Sequence, residues 1–142
     1  MTRFRGTSGN DRLLGTRNHD VIWGLGGNDY LKGNDGHDAI DGGSGNDHVF
    51  GGRGADILFG GSGRDIFVFK YGDGFHDVVR DYVDGVDKID IPDSAALHIS
   101  RYPYPNGSSV EVSYSLDNVH ILGRFVIRGY DLDLHFSTDD FI

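Results

Sequence analysis

The stretch GGSGNDHVFGGRGADILFGGSGRDIFV, residues 42–68, contains three consecutive copies of one nine-residue pattern. The pattern begins at Gly6, and seven uninterrupted copies fill residues 6–68. Position one is always glycine, position six is always aspartate, and position eight is always large and apolar. Position four is glycine except for Asn18, the residue type that best tolerates the same left-handed backbone. Columns this strict indicate a repeat array rather than a helix or an ordinary hairpin.

The physical chemistry of the pattern predicts a stacked coil. Glycines allow sharp turns, and the triplet at positions seven to nine is predicted to be a short strand whose middle residue points inward. One inward residue in nine cannot form a core, so two nonapeptides are expected to form one flattened coil of 18 residues. Stacked coils then bury a continuous file of apolar residues. The file consists of Leu13, Ile22, Leu31, Ile40, Val49, Leu58 and Phe67.

The coil also stacks the aspartates in two columns, one along each edge. One column holds Asp11, Asp29, Asp47 and Asp65, and the other holds Asp20, Asp38 and Asp56. Carboxylates about 4.8 Å apart repel each other unless a cation lies between them. Paired carboxylates and turn carbonyls form the oxygen-only cage that Ca²⁺ accepts, whereas Mg²⁺ requires a smaller octahedron.

Adjacent pairs within the columns predict five Ca²⁺ sites, and Asp77 below Asp56 would complete a sixth. Five ions would bring the formal net charge of −9 to about +1. The acid excess itself argues against nucleic acid as a partner. Only 37% of the residues are hydrophobic and cysteine is absent, so disulfides cannot compensate for a thin core. No run of the sequence approaches transmembrane length, and the stretch MTRFRGTSGN, residues 1–10, contains no apolar segment that resembles a signal peptide.

The repeats closely resemble the RTX nonapeptide G-G-x-G-x-D-x-U-x of calcium-binding parallel β-rolls. That family includes secreted bacterial metalloproteases, lipases, haemolysin-type toxins and mannuronan epimerases. The resemblance implies an all-β fold, a right-handed parallel β-roll with a small antiparallel β cap at the C-terminus. The roll is expected over residues 1–91, with a degenerate eighth turn over 72–80, and the cap over 92–142. In the cap, SSVEVSYSL alternates as a strand and is expected to turn at Asp117-Asn118 into VHILG.

The resemblance also implies that backbone carbonyls of the turns complete the ligand set. The implied ligands beyond the aspartates are Gly24, Gly26, Gly27, Gly33, Gly36, Gly42, Gly43, Ser44, Gly45, Gly51, Gly52, Arg53, Gly54, Gly60 and Ser62. The first four repeats lack the second glycine and have Thr7, Thr16, Leu25 and Asn34 there. We therefore expect the first site on each edge to be weaker than the middle ones.

By the same resemblance, the function expected is that of a secreted module rather than an enzyme. Without Ca²⁺ the stacked anions and many glycines favour an unfolded chain, which folds where Ca²⁺ is millimolar. Type I secretion, with a signal in the terminal TDDFI, fits such a chain. The partners expected are an upstream catalytic domain or, as the alternative function, an anionic polysaccharide such as alginate. No catalytic motif of the H-E-x-x-H or G-x-S-x-G type occurs.

Two further features leave alternatives open. His19 and His37 occupy position five one coil apart, where a solvated surface pair is favoured over a second metal site. The outward positions Val21, Trp23, Ala39, Asp41, Ile57 and Phe59 form a largely apolar patch. We expect the C-terminal segment to fold over this patch, and a binding face is the alternative. The other face, with Arg12, Tyr30, Lys32 and His48, is more polar and would suit an anionic polysaccharide.

Overall fold

A computed structural model describes residues 1–70, 72–73, 75–91, 96–104, 107–115, 121–129 and 142. These residues form strands and no helix. The described part of the chain therefore contains no helix long and apolar enough to cross a membrane. The strands β1 to β13 are, in order, Thr2–Arg5, Arg12–Leu14, Asp20–Gly26, Tyr30–Asp35, Ala39–Ser44, His48–Arg53, Ile57–Ser62, Ile66–Val68, Phe75–Val79, Lys88–Asp90, Ala96–Tyr104, Gly107–Ser115 and Ile121–Gly129.

The first ten strands alternate between two parallel sheets. Strands β1, β3, β5, β7 and β9 are neighbours in one sheet, and β2, β4, β6, β8 and β10 are neighbours in the other. Val21 lies opposite Ala39 and Tyr30 lies opposite His48, each 18 residues further along the chain. Two nonapeptides therefore make one coil, and the predicted parallel β-roll is confirmed.

The core is the file of position-eight side chains. Ile22, Ile40 and Leu58 stack in one sheet and face Leu31, Val49 and Phe67 of the other, all at most 1% exposed. Val79, Ile89 and Ile127 continue the file at its C-terminal end and are also fully buried. Phe69, Tyr82 and Ile91 join the same core cluster, whose burial stabilises the roll by about 25 cal/mol per Å² of apolar surface removed from water.

The strands β3 to β7 run longer than the predicted triplets, with six or seven residues each. Strand β4 covers six residues and continues into the turn, where Asn34 lies opposite Gly52 and Asp35 opposite Arg53. Because every coil in the repeats has the same length, the first turn positions of neighbouring coils also meet in register. Parallel pairing therefore continues from the strand into the glycine segment.

The C-terminal segment extends one sheet at its edge. Strand β13 pairs in parallel with β9, and β12 and β11 follow in antiparallel order, which confirms an antiparallel β cap. The expectation that this segment covers the outer apolar patch is wrong for these three strands, because they extend the sheet at its edge instead of packing on its outer face. Ile57 and Phe59 on that patch keep 38% and 37% of their surface exposed.

The chain end contacts the other sheet. The backbone N–H of Ile142 donates to the carbonyl of Ile89 at 3.0 Å, beside the last strand of the five-stranded sheet. The predicted turn at Asp117-Asn118 and the rest of the TDDFI ending, residues 138–141, lie outside the described residues.

Candidate metal centre

The aspartates of position six form two buried, hydrogen-bonded columns. Asp29 and Asp47 are 2% and 0% exposed, although both carry a carboxylate. The backbone N–H of Asp29 donates to Oδ1 of Asp47 at 2.8 Å, and that of Asp47 donates to Oδ1 of Asp65 at 2.9 Å. On the opposite edge the same bond joins Asp20 to Asp38, Asp38 to Asp56 and Asp56 to Asp77, at 2.8–2.9 Å. In each of these pairs, Oδ1 of the later aspartate accepts a hydrogen bond from the preceding coil.

The second carboxylate oxygen has no partner in five of these aspartates. Oδ2 is buried and makes no hydrogen bond in Asp29, Asp38, Asp47, Asp56 and Asp65. A buried, unpaired carboxylate oxygen is costly, and native proteins normally pair such atoms or give them to a metal ion. These five atoms are therefore the strongest indication of a cation in the described residues.

The position-one glycines line the space beside these oxygens. A Cβ built on Gly24 would collide with Oδ2 of Asp29 and with the carbonyl oxygen of Gly42 in the next coil. A Cβ on Gly42 would likewise collide with Oδ2 of Asp47 and the carbonyl oxygen of Gly60. Glycine is required there because carboxylate and carbonyl oxygens converge on its missing side chain.

The electrostatics of the columns favour a bound cation. Burial, with smaller contributions from neighbouring carboxylates, raises the pKa of Asp38 to about 6 and that of Asp56 to about 7. Burial and repulsion from Asp56 raise the pKa of Asp77 to about 8. Burial also raises the pKa of Asp29 and Asp47. A divalent cation would stabilise the charged carboxylates that burial disfavours.

The donor set fits Ca²⁺. Among the described residues no three side chains of His, Asp or Glu converge on one point, so side chains alone cannot complete a coordination sphere. Two carboxylates from neighbouring coils and turn carbonyls supply only oxygen, which suits the six to eight ligands of Ca²⁺ better than the rigid octahedron of Mg²⁺.

Among the predicted backbone ligands, the carbonyls of position one lie beside the carboxylates, and those of positions three and four lie between stacked coils. Carbonyls of the position-one glycines lie beside the carboxylates, as the collisions at Gly24 and Gly42 illustrate. Carbonyls of position three take part in coil stacking, since those of Arg53 and Ser62 accept the N–H groups of Gly36 and Gly45 at 2.8 Å. Position-four carbonyls also stack, with that of Gly27 directly against Gly45 in the next coil.

Two aspartates of the site region were missed by sequence reasoning. Asp87 is 1% exposed and its Oδ1 accepts the N–H of Asp65 at 3.0 Å, which extends the first column by one coil. The two oxygens of Asp81 accept the N–H groups of Gly60 and Gly61 at 2.9 and 2.8 Å. Asp87-Lys88-Ile89-Asp90 keeps the D-x-U-x signal of positions six to nine, but it follows Asp65 by 22 residues instead of 18.

The two N-terminal aspartates differ from the middle five. Oδ2 of Asp11 accepts hydrogen bonds from the backbone and hydroxyl of Thr7, and Oδ2 of Asp20 accepts the same two from Thr16. Asp20 is as buried as the other aspartates, and its Oδ1 accepts the N–H of Thr2 at 3.0 Å. These carboxylates are satisfied within the chain.

The two histidines form a ladder at position five. Their rings stack with centroids 4.8 Å apart, and Nδ1 of His19 and of His37 accepts the N–H of the residue one coil further on, at 2.7 and 2.9 Å. Asn10, Asn28 and Asn46 do the same through Oδ1 on the other edge, each at 2.8 Å. A neutral imidazole that accepts at Nδ1 carries its proton on Nε2, which disfavours metal binding by the outward nitrogen.

The family comparison agrees with this geometry. The model of the RTX calcium-binding nonapeptide repeat matches residues 5–40 and 32–67. Among solved structures, the AlgE6R3 subunit from the Azotobacter vinelandii mannuronan C5-epimerase is 26% identical, with 96% of this chain and 80% of that chain covered and a TM-score of 0.47. The extracellular lipase LipA from Serratia marcescens is 19% identical, with 96% and 20% covered and a TM-score of 0.34. No curated protein matches the chain.

The family assignment follows from the match to the nonapeptide repeat. The repeated glycines and aspartates of that match are the residues that form the buried aspartate columns. Residues 5–67 belong to the family of RTX calcium-binding nonapeptide repeats.

Proposed function

We propose that this chain is a module that folds when it binds Ca²⁺ outside the cell and that supports the secretion, folding or targeting of a secreted protein, without catalysing a reaction itself. The observation that carries the proposal is the set of five buried Oδ2 atoms without partners. The column aspartates that carry these open oxygens and the position-one carbonyls act as the ligands, and about five or six ions bind.

Coupling of binding to folding follows from the electrostatics of the columns. In the absence of Ca²⁺ the folded state holds stacked carboxylates whose charge is opposed by burial, whereas the unfolded chain exposes them to water. Any ion that binds only the folded chain stabilises it by RT ln(1 + [Ca²⁺]/Kd) for each site. The chain is therefore unfolded in a Ca²⁺-poor cytoplasm and folds in a Ca²⁺-rich exterior, which suits passage through a type I secretion channel as an unfolded chain.

The test is far-UV circular dichroism of the EDTA-stripped protein at neutral pH, titrated with Ca²⁺ and separately with Mg²⁺. We expect a cooperative gain of β signal with Ca²⁺ and a much smaller one with Mg²⁺. A protein that is already folded in EDTA and indifferent to Ca²⁺ would contradict the proposal.

A second candidate function is binding of an anionic polysaccharide, with an upstream catalytic domain as the enzyme that it would serve. One observation favours it, on the outer face of the five-stranded sheet. The guanidinium of Arg12 lies 5.0 Å from the ring centre of Tyr30, and the Tyr30 and Phe50 rings are 4.7 Å apart. Aromatic rings can stack on a sugar while the cation meets its carboxylate.

Isothermal titration with polyuronate oligosaccharides in saturating Ca²⁺ tests this second function. Binding that is lost in Y30A, but retained in an F59A control on the exposed face of the other sheet, supports it. The absence of binding by the folded wild type contradicts it and leaves the first proposal unaffected.

A further inference from the structure

The seven repeats use two kinds of turn, and they differ at position two. Leu25, Asn34, Gly43, Gly52 and Gly61, at position two of repeats three to seven, all have φ between 79° and 100°. Thr7 and Thr16, in the first two repeats, are not among the residues with positive φ. A β-branched residue strongly avoids that conformation, so threonine requires a different turn.

The threonine turn closes on its own aspartate. The N–H and hydroxyl of Thr7 lie 2.6 and 2.9 Å from Oδ2 of Asp11, and those of Thr16 lie 2.6 and 2.8 Å from Oδ2 of Asp20. Each threonine Oγ1 also accepts the N–H two residues later, from Gly9 or Asn18, at 3.1 Å. The hydroxyl therefore bridges the turn and occupies the carboxylate oxygen that is unpartnered in the following repeats.

The space beside the position-one glycine is lined in the same way in the first two turns. A Cβ on Gly6 would still meet the carbonyl of Gly24 and Oδ2 of Asp11, and a Cβ on Gly15 would meet the carbonyl of Gly33 and Oδ2 of Asp20. Burial acts to raise the pKa of Asp20, but the hydrogen bonds from Thr16 and Thr2 outweigh it and hold that pKa below the ordinary value. Charge on Asp20 is stabilised by the chain itself, in contrast to Asp38 one coil further on.

We infer that Thr7 and Thr16 take the place of a cation in the first turn on each edge, and that the roll, within the residues that the structure describes, binds five Ca²⁺ ions, one at each open Oδ2 of Asp29, Asp38, Asp47, Asp56 and Asp65. The five sites are displaced by one coil toward the C-terminus relative to the pairs expected from the repeats alone. The pairs Asp11/Asp29 and Asp20/Asp38 do not hold an ion. The coil that contains Asp77 completes the turn of Asp56, since the backbone N–H of Asp56 donates to the Asp77 carboxylate. The coil that contains Asp87 completes the turn of Asp65 in the same way.

The C-terminal end of the first column is closed in a related way. Oδ2 of Asp87 accepts the N–H of Val83 at 2.8 Å, four residues earlier in the chain, as Asp11 accepts that of Thr7. This column therefore begins and ends with a carboxylate that is satisfied by a local backbone donor. The cations are confined to the turns between these ends.

This inference rests on the proposed Ca²⁺-binding function, and its test separates the two. The number of ions bound is measured by equilibrium dialysis in saturating Ca²⁺ for wild type and for two matched pairs of variants. D11N and D29N are neighbours on one edge, and D20N and D38N are neighbours on the other. Far-UV circular dichroism in the same buffer reports folding of each variant.

We expect five ions in wild type, D11N and D20N, and at least one ion fewer in D29N and D38N. Because all five open oxygens lie beyond the first coil, the count remains five even if the first coil frays in D11N or D20N. Loss of an ion in D11N or D20N, or any wild-type count above or below five, overturns the inference while leaving a Ca²⁺-binding module. A wild type that binds no Ca²⁺ overturns the proposed function as well.

Discussion

Replacing Asp47 by asparagine removes charge from the middle of a column while preserving its hydrogen bonds. The amide side chain would keep the oxygen that accepts the N–H of Asp29 at 2.8 Å, and the backbone bond from residue 47 to Asp65 at 2.9 Å is not altered. The change falls on Oδ2, which is buried and has no partner within the protein. An amide nitrogen at that position donates hydrogen bonds and cannot coordinate a cation.

The size of the effect follows from the position of Asp47 in the column. Its carboxylate lies between those of Asp29 and Asp65, so it borders the ion spaces on both sides. At free Ca²⁺ about 100 times the dissociation constant, one lost site costs about 2.7 kcal/mol. Loss of both sites would therefore cost about 5 kcal/mol, a large part of the 5–15 kcal/mol typical of a domain. For a chain of this size the melting midpoint would fall by roughly 15 °C.

Thermal denaturation in saturating Ca²⁺, followed by far-UV circular dichroism, measures this loss. The matched control is D35N, which removes the same charge from a half-buried turn residue that belongs to neither column. We expect D35N to shift the midpoint by only a few degrees. Equal midpoints for D47N and D35N would refute the argument that the columns bind the stabilising ions.

Three other perturbations test separate parts of the structure. Lowering the pH of the EDTA-stripped protein from about 8 to about 5 should increase its β signal. The reason is that burial raises the pKa of Asp56 to about 7 and that of Asp77 to about 8 in the folded protein. Each carboxyl that is protonated only in the folded state adds up to about 1.4 kcal/mol of stability per pH unit. Folded carboxyls bind more protons than unfolded ones in this range, so stability is lost as the pH rises, and a metal-free protein more folded at pH 8 than at pH 5 would contradict the sign. G42A should cost about 3 kcal/mol in urea denaturation with Ca²⁺, because its Cβ meets Oδ2 of Asp47 and the carbonyl of Gly60. The control G9A should change stability by less than about 0.5 kcal/mol, because its Cβ would lie at an ordinary contact distance of 3.8 Å from Oγ1 of Thr7. N46A removes the acceptor for the N–H of Arg64 and should cost about 1 kcal/mol without reducing the number of ions in equilibrium dialysis; a lower ion count would place Asn46 in the metal site.

Residue spacing was sufficient to predict the roll and its core. Ile22, Ile40 and Leu58 stack as expected because each coil has the same length, and a repeat of constant length determines its own register. The prediction weakened where the length changes. Asp77, which pairs with Asp56 across 21 residues, was predicted because the degenerate eighth turn was identified. Asp87, which pairs with Asp65 across 22 residues, was missed because it departs from the 18-residue spacing. The place of the C-terminal strands depended on β9 offering a free edge, which no local pattern encodes.

Position two was the least predictable part of the site, because its effect depends on chemistry rather than on spacing. Thr7 and Thr16 depart from the glycine of the repeat pattern, and this departure predicted weakened Ca²⁺ sites. In the structure, their hydroxyls donate hydrogen bonds to Oδ2 of Asp11 and Asp20. Leu25 and Asn34 depart from the same consensus, yet both adopt the positive φ of glycine and leave Asp29 and Asp38 with an open oxygen. The presence of a hydroxyl that can reach Oδ2, rather than the loss of glycine, therefore separates a closed turn from one that needs a cation. Among the first four repeats, this criterion assigns Ca²⁺ to the third and fourth and excludes it from the first and second.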